Sequence, residues 1–337
     1  DVRLFSAESG SFGTQFWIQL QGAGPVYMAN YESSSYSMQL VSSAKFLDPS
    51  AWYHFCIAID TTQGTASNRV KLYVNGVQET SFSTSTFPAE DLVPNINDAS
   101  INLAIGKRDA EEFMDGYLAE VAFIDGSALA PTSFGEFNED SPTIWQPKDF
   151  KDDVTFGNNG YYLDFADSGD LGDDESGNGN DWTEVNLAAA DQATDTPTNN
   201  FCTLNPIDPS ALSNTANTFS EGNCKITDGS NYYLLAQSTF AVTAGKWYWE
   251  TFIDATTSNT VSGPGIADVD GFDRKDGAAN GAYGWIYAPD GDKRNAGTSS
   301  SYGDTYAAND VIGIALDMDN KAIYFSKNGT WQASGDP

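Results

Sequence analysis

Two distant parts of the chain repeat one pattern of apolar and polar positions. In each, an aromatic-led apolar segment is followed later by a segment that runs into Asn-Gly: 52–60 and 70–76 in the first copy, 247–254 and 322–329 in the second. The apolar positions recur with a period of two, which is typical of a strand with one buried face. Asn-Gly supplies the positive φ that a tight hairpin turn requires. The repeat therefore predicts two related β-sandwich domains, an arrangement more typical of recognition than of catalysis.

The rest of the chain indicates an all-β fold and sets the domain boundaries. Apolar runs are short, Gly and Pro are scattered, and no stretch of about ten residues keeps a 3.6-residue periodicity. We predict a first sandwich at 1–147, an acidic and loop-rich connector at 148–222, and a second sandwich at 223–337 that lacks its closing strands. Because the chain opens in the middle of a pattern, we expect it to be a segment of a longer protein. Further strands are predicted at 101–106, 116–124, 161–165, 232–236, 246–253, 265–267, 283–287, 311–317 and 321–326, with a short helical turn at 128–134.

The composition excludes several classes of partner. The 337 residues include 16 basic and 47 acidic side chains, which gives a net charge of −31. A field of that sign repels phosphate groups, so we expect no binding to nucleic acid or to anionic lipid. No apolar run approaches the roughly 20 residues that span a bilayer, so no membrane insertion is expected. The chain has three cysteines, Cys56, Cys202 and Cys224, which are too few for a disulfide framework. This number indicates folding in a reducing cytoplasm. A disulfide between Cys202 and Cys224 stays an open alternative.

Short motifs in the chain resemble those of two known domain families. They lie at 52–54, 71–76, 104–106 and 113–121 in the first part, and at 245–250, 265–267, 310–317 and 325–329 in the second. The first set is similar to a laminin-G or pentraxin type concanavalin A-like domain, and the second set resembles a SPRY domain. Both families build jelly-roll-like sandwiches of two antiparallel sheets. The resemblance therefore implies two such sandwiches in tandem.

The order of the two domains carries a resemblance of its own. This order, together with the sequence motif at 177–182 between the two domains, resembles that of large structural proteins of tailed phages from aquatic environments. In those proteins the modules sit on tail fibres or other virion appendages. The resemblance implies a protein of the virion surface that is assembled in the cytoplasm of a host bacterium. The acidic composition agrees with that setting.

No arrangement of residues typical of a catalytic site is found. Sandwich-fold glycosidases use two carboxylates about 5–9 Å apart across the scissile bond, whereas Glu250 and Asp254 are about 13 Å apart along one strand face. Asp317 and Asp319 share a face but flank a turn. The sole histidine, His54, alternates with buried positions and has no Ser or Cys partner near it in sequence. This pattern favours a hydrogen-bonded histidine in the core or just below the surface over a catalytic base. We therefore expect no enzymatic activity.

An acidic stretch is the candidate cation site. Residues 149–184 contain 11 acidic residues and one lysine. Calcium takes about six to eight oxygen ligands, which acidic loops with Asn and Gly can supply, and related concanavalin A-like domains often bind calcium near a sandwich edge. The spacing does not match an EF-hand loop, and the competing interpretation is a solvated acidic turn capped by Asn side chains. The candidate calcium ligands are Asp167, Asp174, Asn178, Asn180 and Asp181.

Aromatic residues on predicted loops of the second sandwich are the candidate ligand-binding residues. Trp285, Tyr287, Tyr302 and Tyr306 lie near acidic and amide side chains at 290–295. An aromatic ring can stack on the apolar face of a sugar while carboxylates and amides bind its hydroxyl groups. Glycan binding is what the fold class suggests by analogy. The competing interpretation places Trp285 and Tyr287 in the sandwich core.

The leading hypothesis is a non-enzymatic virion appendage protein that contacts a host-surface glycan or protein. Since single sugar sites on sandwiches are weak, useful attachment needs several copies, and we expect a homo-oligomer. One alternative is a purely structural protein whose sandwiches bind neighbouring virion subunits, and another is a secreted bacterial adhesin. Exposed aromatic residues on loops would favour host contact. Aromatic patches on sheet faces or edges would favour binding to neighbouring subunits.

Overall fold

The chain divides into two units, Asp1–Phe201 and Cys202–Pro337. Among the described residues every strand pair is antiparallel and no α-helix occurs, which confirms the all-β prediction. The boundary between the units falls inside the segment predicted as a connector. The computed structural model describes residues 2–9, 13–48, 51–108, 113–114, 116–193, 195–199, 201–206, 217–228, 236–255, 263–267 and 284–337.

In its described part, the first unit is built from short strands and a few turns of 3₁₀ helix. One 3₁₀ turn, Pro131–Ser133, lies within the helical turn predicted at 128–134. The strands are, in chain order, β1 (Val2–Glu8), β2 (Thr14–Leu20), β3 (Val26–Glu32), β4 (Ser35–Ser42), β5 (Phe55–Ile59), β6 (Val70–Val74), β7 (Val77–Glu79), β8 (Phe82–Thr86), β9 (Asn102–Ile105), β10 (Val121–Phe123), β11 (Gly135–Phe137), β12 (Trp145–Pro147) and β13 (Tyr161–Leu163).

Two sheets of the first unit pack face to face. A six-stranded sheet has the order β8-β4-β3-β2-β1-β9, and a three-stranded sheet has the order β5-β6-β7. Alternate side chains of the two sheets meet in one core: Phe16, Met28 and Leu40 come from the larger sheet, and Val70 and Leu72 from the smaller. Each of these side chains is at most 2% exposed. Period-two alternation therefore produces the predicted sandwich.

The acidic segment is attached to the first unit. β13 pairs with β10, and Phe150, Phe156 and Tyr162 form an apolar cluster beside that pair. Both strands are shorter than the predicted 116–124 and 161–165. The reason is local, because Glu120 and Phe165 take φ values of 60° and 58°, which interrupt extended backbone.

His54 is a satisfied histidine, as predicted. The Nε1–H of Trp145 donates to Nδ1 of His54 at 3.1 Å, and the two rings are nearly parallel. Burial lowers the pKa of His54, so the neutral ring is favoured. The ring of Trp145 also covers Gly76, where a Cβ atom would come within 2.3 Å of it. This contact fixes the β12 hairpin against the β6–β7 turn.

The second unit contains two four-stranded sheets and a separate hairpin among its described residues. The sheets have the orders β16-β21-β22-β23 and β17-β18-β19-β20, and the hairpin is β14-β15. Of the strand predicted at 232–236, residues 232–235 lie outside the described residues. The strands are β14 (Asn217–Ser220), β15 (Lys225–Asp228), β16 (Lys246–Phe252), β17 (Gly265–Ala267), β18 (Gly284–Tyr287), β19 (Asp292–Asn295), β20 (Thr298–Ser301), β21 (Val311–Asp317), β22 (Ala322–Lys327) and β23 (Thr330–Trp331).

The core of the second unit lies between these two four-stranded sheets. Ile312, Ile314 and Phe325 from the first sheet pack against Tyr287 from the second, and all four are buried. This is the second of the two antiparallel sandwiches predicted from the sequence. It is small, so a few aromatic side chains make up much of its interior.

Both Asn-Gly pairs form the predicted tight turns. Asn75 and Gly76 have φ values of 48° and 76° between β6 and β7, and Asn328 and Gly329 have 48° and 79° between β22 and β23. Positive φ at both central residues is the geometry that two-residue hairpin loops need. The repeated sequence pattern therefore corresponds to a repeated structural element.

Two expectations from composition can be compared with the structure. All three cysteines are thiols, so no disulfide joins Cys202 to Cys224. Within the described ranges, no helix is long and apolar enough to cross a membrane.

Candidate functional site

Three of the four predicted ligand-binding aromatics belong to the core. Tyr287 is 0% and Tyr306 is 5% exposed, and Tyr302 packs beside them with its ring centroid 5.5 Å from that of Tyr287. The hydroxyl of Tyr306 donates to the carbonyl of Tyr287 at 2.8 Å, and the hydroxyl of Tyr302 accepts from the backbone N–H of Phe325 at 3.1 Å. Burial raises the pKa of Tyr287 to about 12. The binding prediction for Tyr287 and Tyr306 is corrected, because buried rings present no face to a sugar.

Trp285 is the predicted aromatic that remains at the surface. It lies on β18 opposite Ile266 and is 43% exposed. The competing interpretation placed Trp285 in the core together with Tyr287, and this is wrong for Trp285. Its position is on a sheet rather than on a loop, so the predicted cluster of loop aromatics does not form among the described residues.

The predicted calcium ligands form a hydrogen-bonded turn centred on Asp174. This carboxylate is buried and accepts four hydrogen bonds: from the backbone N–H groups of Tyr162, Ser176 and Asn180 at 2.8–2.9 Å, and from the Ser176 hydroxyl at 2.8 Å. Burial by itself raises the pKa of Asp174, but these hydrogen bonds outweigh it and the pKa is lowered. Asp181 accepts from the backbone N–H of Asp174 at 3.1 Å. The turn is therefore organised by Asp174 itself.

The other candidate ligands also act as caps. The side-chain amides of Asn178 and Asn180 donate to backbone carbonyls of residues 157–160, and Asp167 accepts from the N–H of Gly169. Within the described part of the chain, no group of three or more His, Cys, Asp or Glu side chains is arranged to hold a metal ion. Both oxygens of Asp174 already accept two hydrogen bonds each, which uses the acceptor positions a calcium ion would need. The five residues do not fit a calcium site.

Among the described residues, the most exposed aromatic side chains of the second unit lie instead on a sheet. β16 alternates so that Trp249 packs against the core while Tyr248 and Phe252 point away from it, and these two are 56% and 57% exposed. Strand pairing places Tyr248 beside Ala315 on β21 and Tyr324 on β22. We call the surface formed by Tyr248, Glu250, Phe252, Gly313, Ala315, Tyr324 and Trp331 the outer aromatic face.

Tyr248 lies across the middle of this face. A Cβ atom on Gly313 would approach the Tyr248 hydroxyl to 2.7 Å, so the ring rests directly over the glycine. The Tyr248 hydroxyl donates to Glu250 Oε1 at 2.6 Å, and this bond raises the pKa of Tyr248. The ring of Trp331 on β23 meets Tyr248 edge-on, with centroids 6.3 Å apart. Small residues beneath and aromatic rings above make a flat surface.

An ion pair lies at one end of the outer aromatic face. Lys246 forms an ion pair with Asp317 at 3.2 Å, at the start of β16 and the end of β21. Asp317 also accepts two hydrogen bonds from Asn320 in the turn that follows. The centre of the face is thus apolar and aromatic, with Glu250 as its acceptor.

The sequence contained a signal for this surface. In the strand at 246–252, aromatic residues occur on both faces. Trp247 and Trp249 share one face, and Tyr248 and Phe252 share the other. A strand in a two-layer sandwich buries one face only, so one of these sets had to remain outside the core. Period-two reasoning identifies the conflict but does not tell which set is buried.

Comparison with known families locates this surface within a recognised domain. Residues 1–132 match the family model described as the concanavalin A-like lectin/glucanases superfamily, and residues 246–334 match that of the SPRY domain. The two matched segments follow one another along the chain, and each covers less than half of it. A search of curated proteins finds no match. All residues of the outer aromatic face lie within the segment that matches the SPRY model.

Both matched domain types are binding folds, which is consistent with a non-enzymatic protein. The carboxylates weighed for catalysis have structural partners: Glu250 accepts from Tyr248, Asp317 from Asn320, and Asp319 from the N–H of Gly245. These contacts fix turns and side chains. They do not pair two carboxyl groups across a cleft.

Proposed function

We propose that the chain is a non-enzymatic binding protein whose SPRY domain docks onto a neighbouring copy of the chain through the outer aromatic face. The observation that carries the proposal is the exposure of Tyr248 and Phe252 on a flat sheet surface. Soluble monomers rarely expose contiguous apolar patches, and the cores of protein interfaces are enriched in Tyr, Trp and Phe. Aromatic residues on a sheet face rather than on loops favour binding to a neighbouring subunit.

Electrostatics determines when such docking is strong. Two copies with a net charge of −31 each repel one another, and salt screens this repulsion. Apolar contact between the two faces is not weakened by salt. We therefore expect self-association that strengthens as ionic strength rises.

Sedimentation velocity of the full chain tests this proposal. We expect association that grows with salt in the wild type and a dissociation constant at least about tenfold higher in a Tyr248→Ser, Phe252→Ser double variant, since central aromatic residues carry much of the energy of an interface. Val93→Ser, at a strongly exposed apolar position of the other unit, is the matched control and should associate like the wild type. A wild type that stays monomeric at every salt concentration would overturn the proposal.

Glycan binding at the same face is the second candidate function. It is favoured by Tyr248, whose ring lies flat over Gly313 beside the carboxylate of Glu250, because an exposed ring and an adjacent acceptor suit a sugar. A glycan array probed with the full chain and with Tyr248→Ala and Trp285→Ala variants tests this candidate. Binding lost in Tyr248→Ala and kept in Trp285→Ala would support it.

The setting we propose for this protein is a virion appendage of a phage. The tandem arrangement of the two domains, the acidic composition and the free thiol state of Cys56 and Cys202 support that setting. Antibodies raised against the full chain and imaged on virions by electron microscopy test it. Absence of label from every virion structure would count against it.

A further inference from the structure

A cleft opens at one edge of the first unit, lined by residues of the six-stranded and the three-stranded sheets. β7 is the last strand of the three-stranded sheet and β8 the last strand of the six-stranded sheet, and both line the cleft. Its volume is about 400 Å³. Small-ligand sites commonly occupy about 300–1,000 Å³, so this cleft has room for a small group.

One carboxylate oxygen in this cleft has no hydrogen-bond partner among the described residues. Glu79 pairs with Leu72 across β7 and β6, so its side chain stands on the core side of the sheet. Its Oε2 atom is shut off from solvent and accepts no hydrogen bond from any residue that the structure describes. A buried acceptor without a donor is unfavourable, and more so when it is charged. A donor from outside the described residues would satisfy this carboxylate.

The lining indicates which donor is suitable. Asn68, Gln78 and Ser85 offer oxygen acceptors, and the lining contains no basic side chain. The guanidinium of Arg69, next to this lining in sequence, is directed to Glu90 and to three backbone carbonyls instead. Glu79 therefore has no cation of its own in the cleft.

The apolar part of the lining and the net charge of the chain limit the chemical class of the ligand further. Val70, Phe82 and Phe87 line the cleft, and the rings of Phe82 and Phe87 meet edge to face. An alkyl chain can pack on such a wall while a terminal ammonium group, which has three donors and no acceptor, reaches the carboxylate. A net charge of −31 also concentrates cations near the surface and repels anions.

We propose that the Glu79 cleft binds a primary alkylammonium group, supplied by a lysine side chain of a partner protein or by a free polyamine. The ammonium pairs with the carboxylate of Glu79 where this residue lines the cleft, and its methylene stem lies against Phe82 and Phe87. This site is in the first unit and does not depend on the proposed docking of the SPRY domain.

A competing explanation of Glu79 is protection of the sheet edge. Inward-pointing charges on edge strands hinder edge-to-edge pairing between molecules. In that case the carboxylate has no ligand, and alkylammonium ions associate only diffusely with the acidic surface. The experiment must therefore separate binding in the cleft from general attraction.

Saturation-transfer NMR on the full chain in about 150 mM salt makes this separation, because screening suppresses diffuse attraction. The probes are N-acetyl-lysine methylamide, putrescine, and N-acetyl-norleucine methylamide as the uncharged control. We expect the two ammonium probes to bind and the norleucine probe not to. Tighter binding of the lysine probe assigns the site to a partner's lysine, and tighter binding of putrescine assigns it to a polyamine.

Two acidic variants provide the matched comparison. Glu79→Gln should weaken binding at least about tenfold, whereas Glu139→Gln, at an exposed acidic position of the same unit, should leave it unchanged. Ser85→Trp fills the mouth of the cleft and leaves the Glu79 carboxylate in place, so it should also abolish binding. This variant replaces Glu79→Gln in the test if Glu79→Gln does not fold. Equal effects of Glu79→Gln and Glu139→Gln, binding retained in Ser85→Trp, or no binding of either ammonium probe would overturn the proposal.

Discussion

Asp174 shows how a charged side chain in an acidic segment can stabilise a fold through its hydrogen bonds. Its two oxygens accept from three backbone N–H groups and one hydroxyl, which belong to Tyr162, Ser176 and Asn180. These donors lie on a strand and on the turn that follows it. One carboxylate therefore holds the acidic segment against β13.

Removing this carboxylate should be costly. Asp174→Ala leaves buried N–H groups without an acceptor, and we expect the free energy of unfolding to fall by about 2–3 kcal/mol. Urea unfolding measures the change, and Asp152→Ala, at an exposed acidic position of the same segment, should change it little. Millimolar calcium should leave the melting midpoint of the wild type unchanged. A calcium-dependent rise that disappears in Asp174→Ala would show instead that these residues bind the ion.

A carboxylate closes the turn of the hairpin from β21 to β22. Asp317 ends β21 and accepts from the backbone N–H and the side-chain amide of Asn320, at 2.9 Å and 2.8 Å. These bonds, with the nearby Lys246, lower the pKa of Asp317 to about 2. The carboxylate thus closes the turn and also ties it to the start of β16.

The lowered pKa of Asp317 predicts a pH dependence of stability. The folded-state pKa lies below the ordinary value of 3.8, so the stabilisation is fully present above about pH 4 and is lost as the pH falls through about 2. Melting midpoints of the wild type and Asp317→Asn should differ by a constant amount from neutral pH to about pH 4 and converge toward pH 2. A difference that is independent of pH over this range would show that ionisation of Asp317 plays no part.

The same elements show what the sequence could and could not predict. Asn-Gly after an alternating strand predicts both hairpins, because the turn geometry depends on those two residues alone. The fate of Tyr287 and Tyr306 depends on Ile312 and Phe325, which are distant in sequence, so local pattern could not place these tyrosines in the core. For the same reason the outer aromatic face becomes visible only when β16 is paired with β21.

At the scale of the whole molecule, each unit combines a conventional sandwich core with one unusual surface. The first unit has a cleft with an unsatisfied carboxylate oxygen, and the second has the outer aromatic face. Composition constrains both surfaces, since a net charge of −31 favours cationic or apolar contacts over anionic ones. For the outer aromatic face we therefore propose binding by apolar and aromatic contact that salt strengthens.

Oxidative footprinting of the full chain tests most directly whether the outer aromatic face is the surface that meets a partner. Hydroxyl radicals label exposed aromatic side chains, and mass spectrometry compares labelling in dilute low-salt solution with labelling in concentrated high-salt solution. We expect oxidation of Tyr248 and Phe252 to fall on association, while Trp285, exposed on the other sheet of the same unit, stays equally labelled. Unchanged labelling of Tyr248 and Phe252 in the associated protein, or a decrease at Trp285 instead, would contradict this assignment.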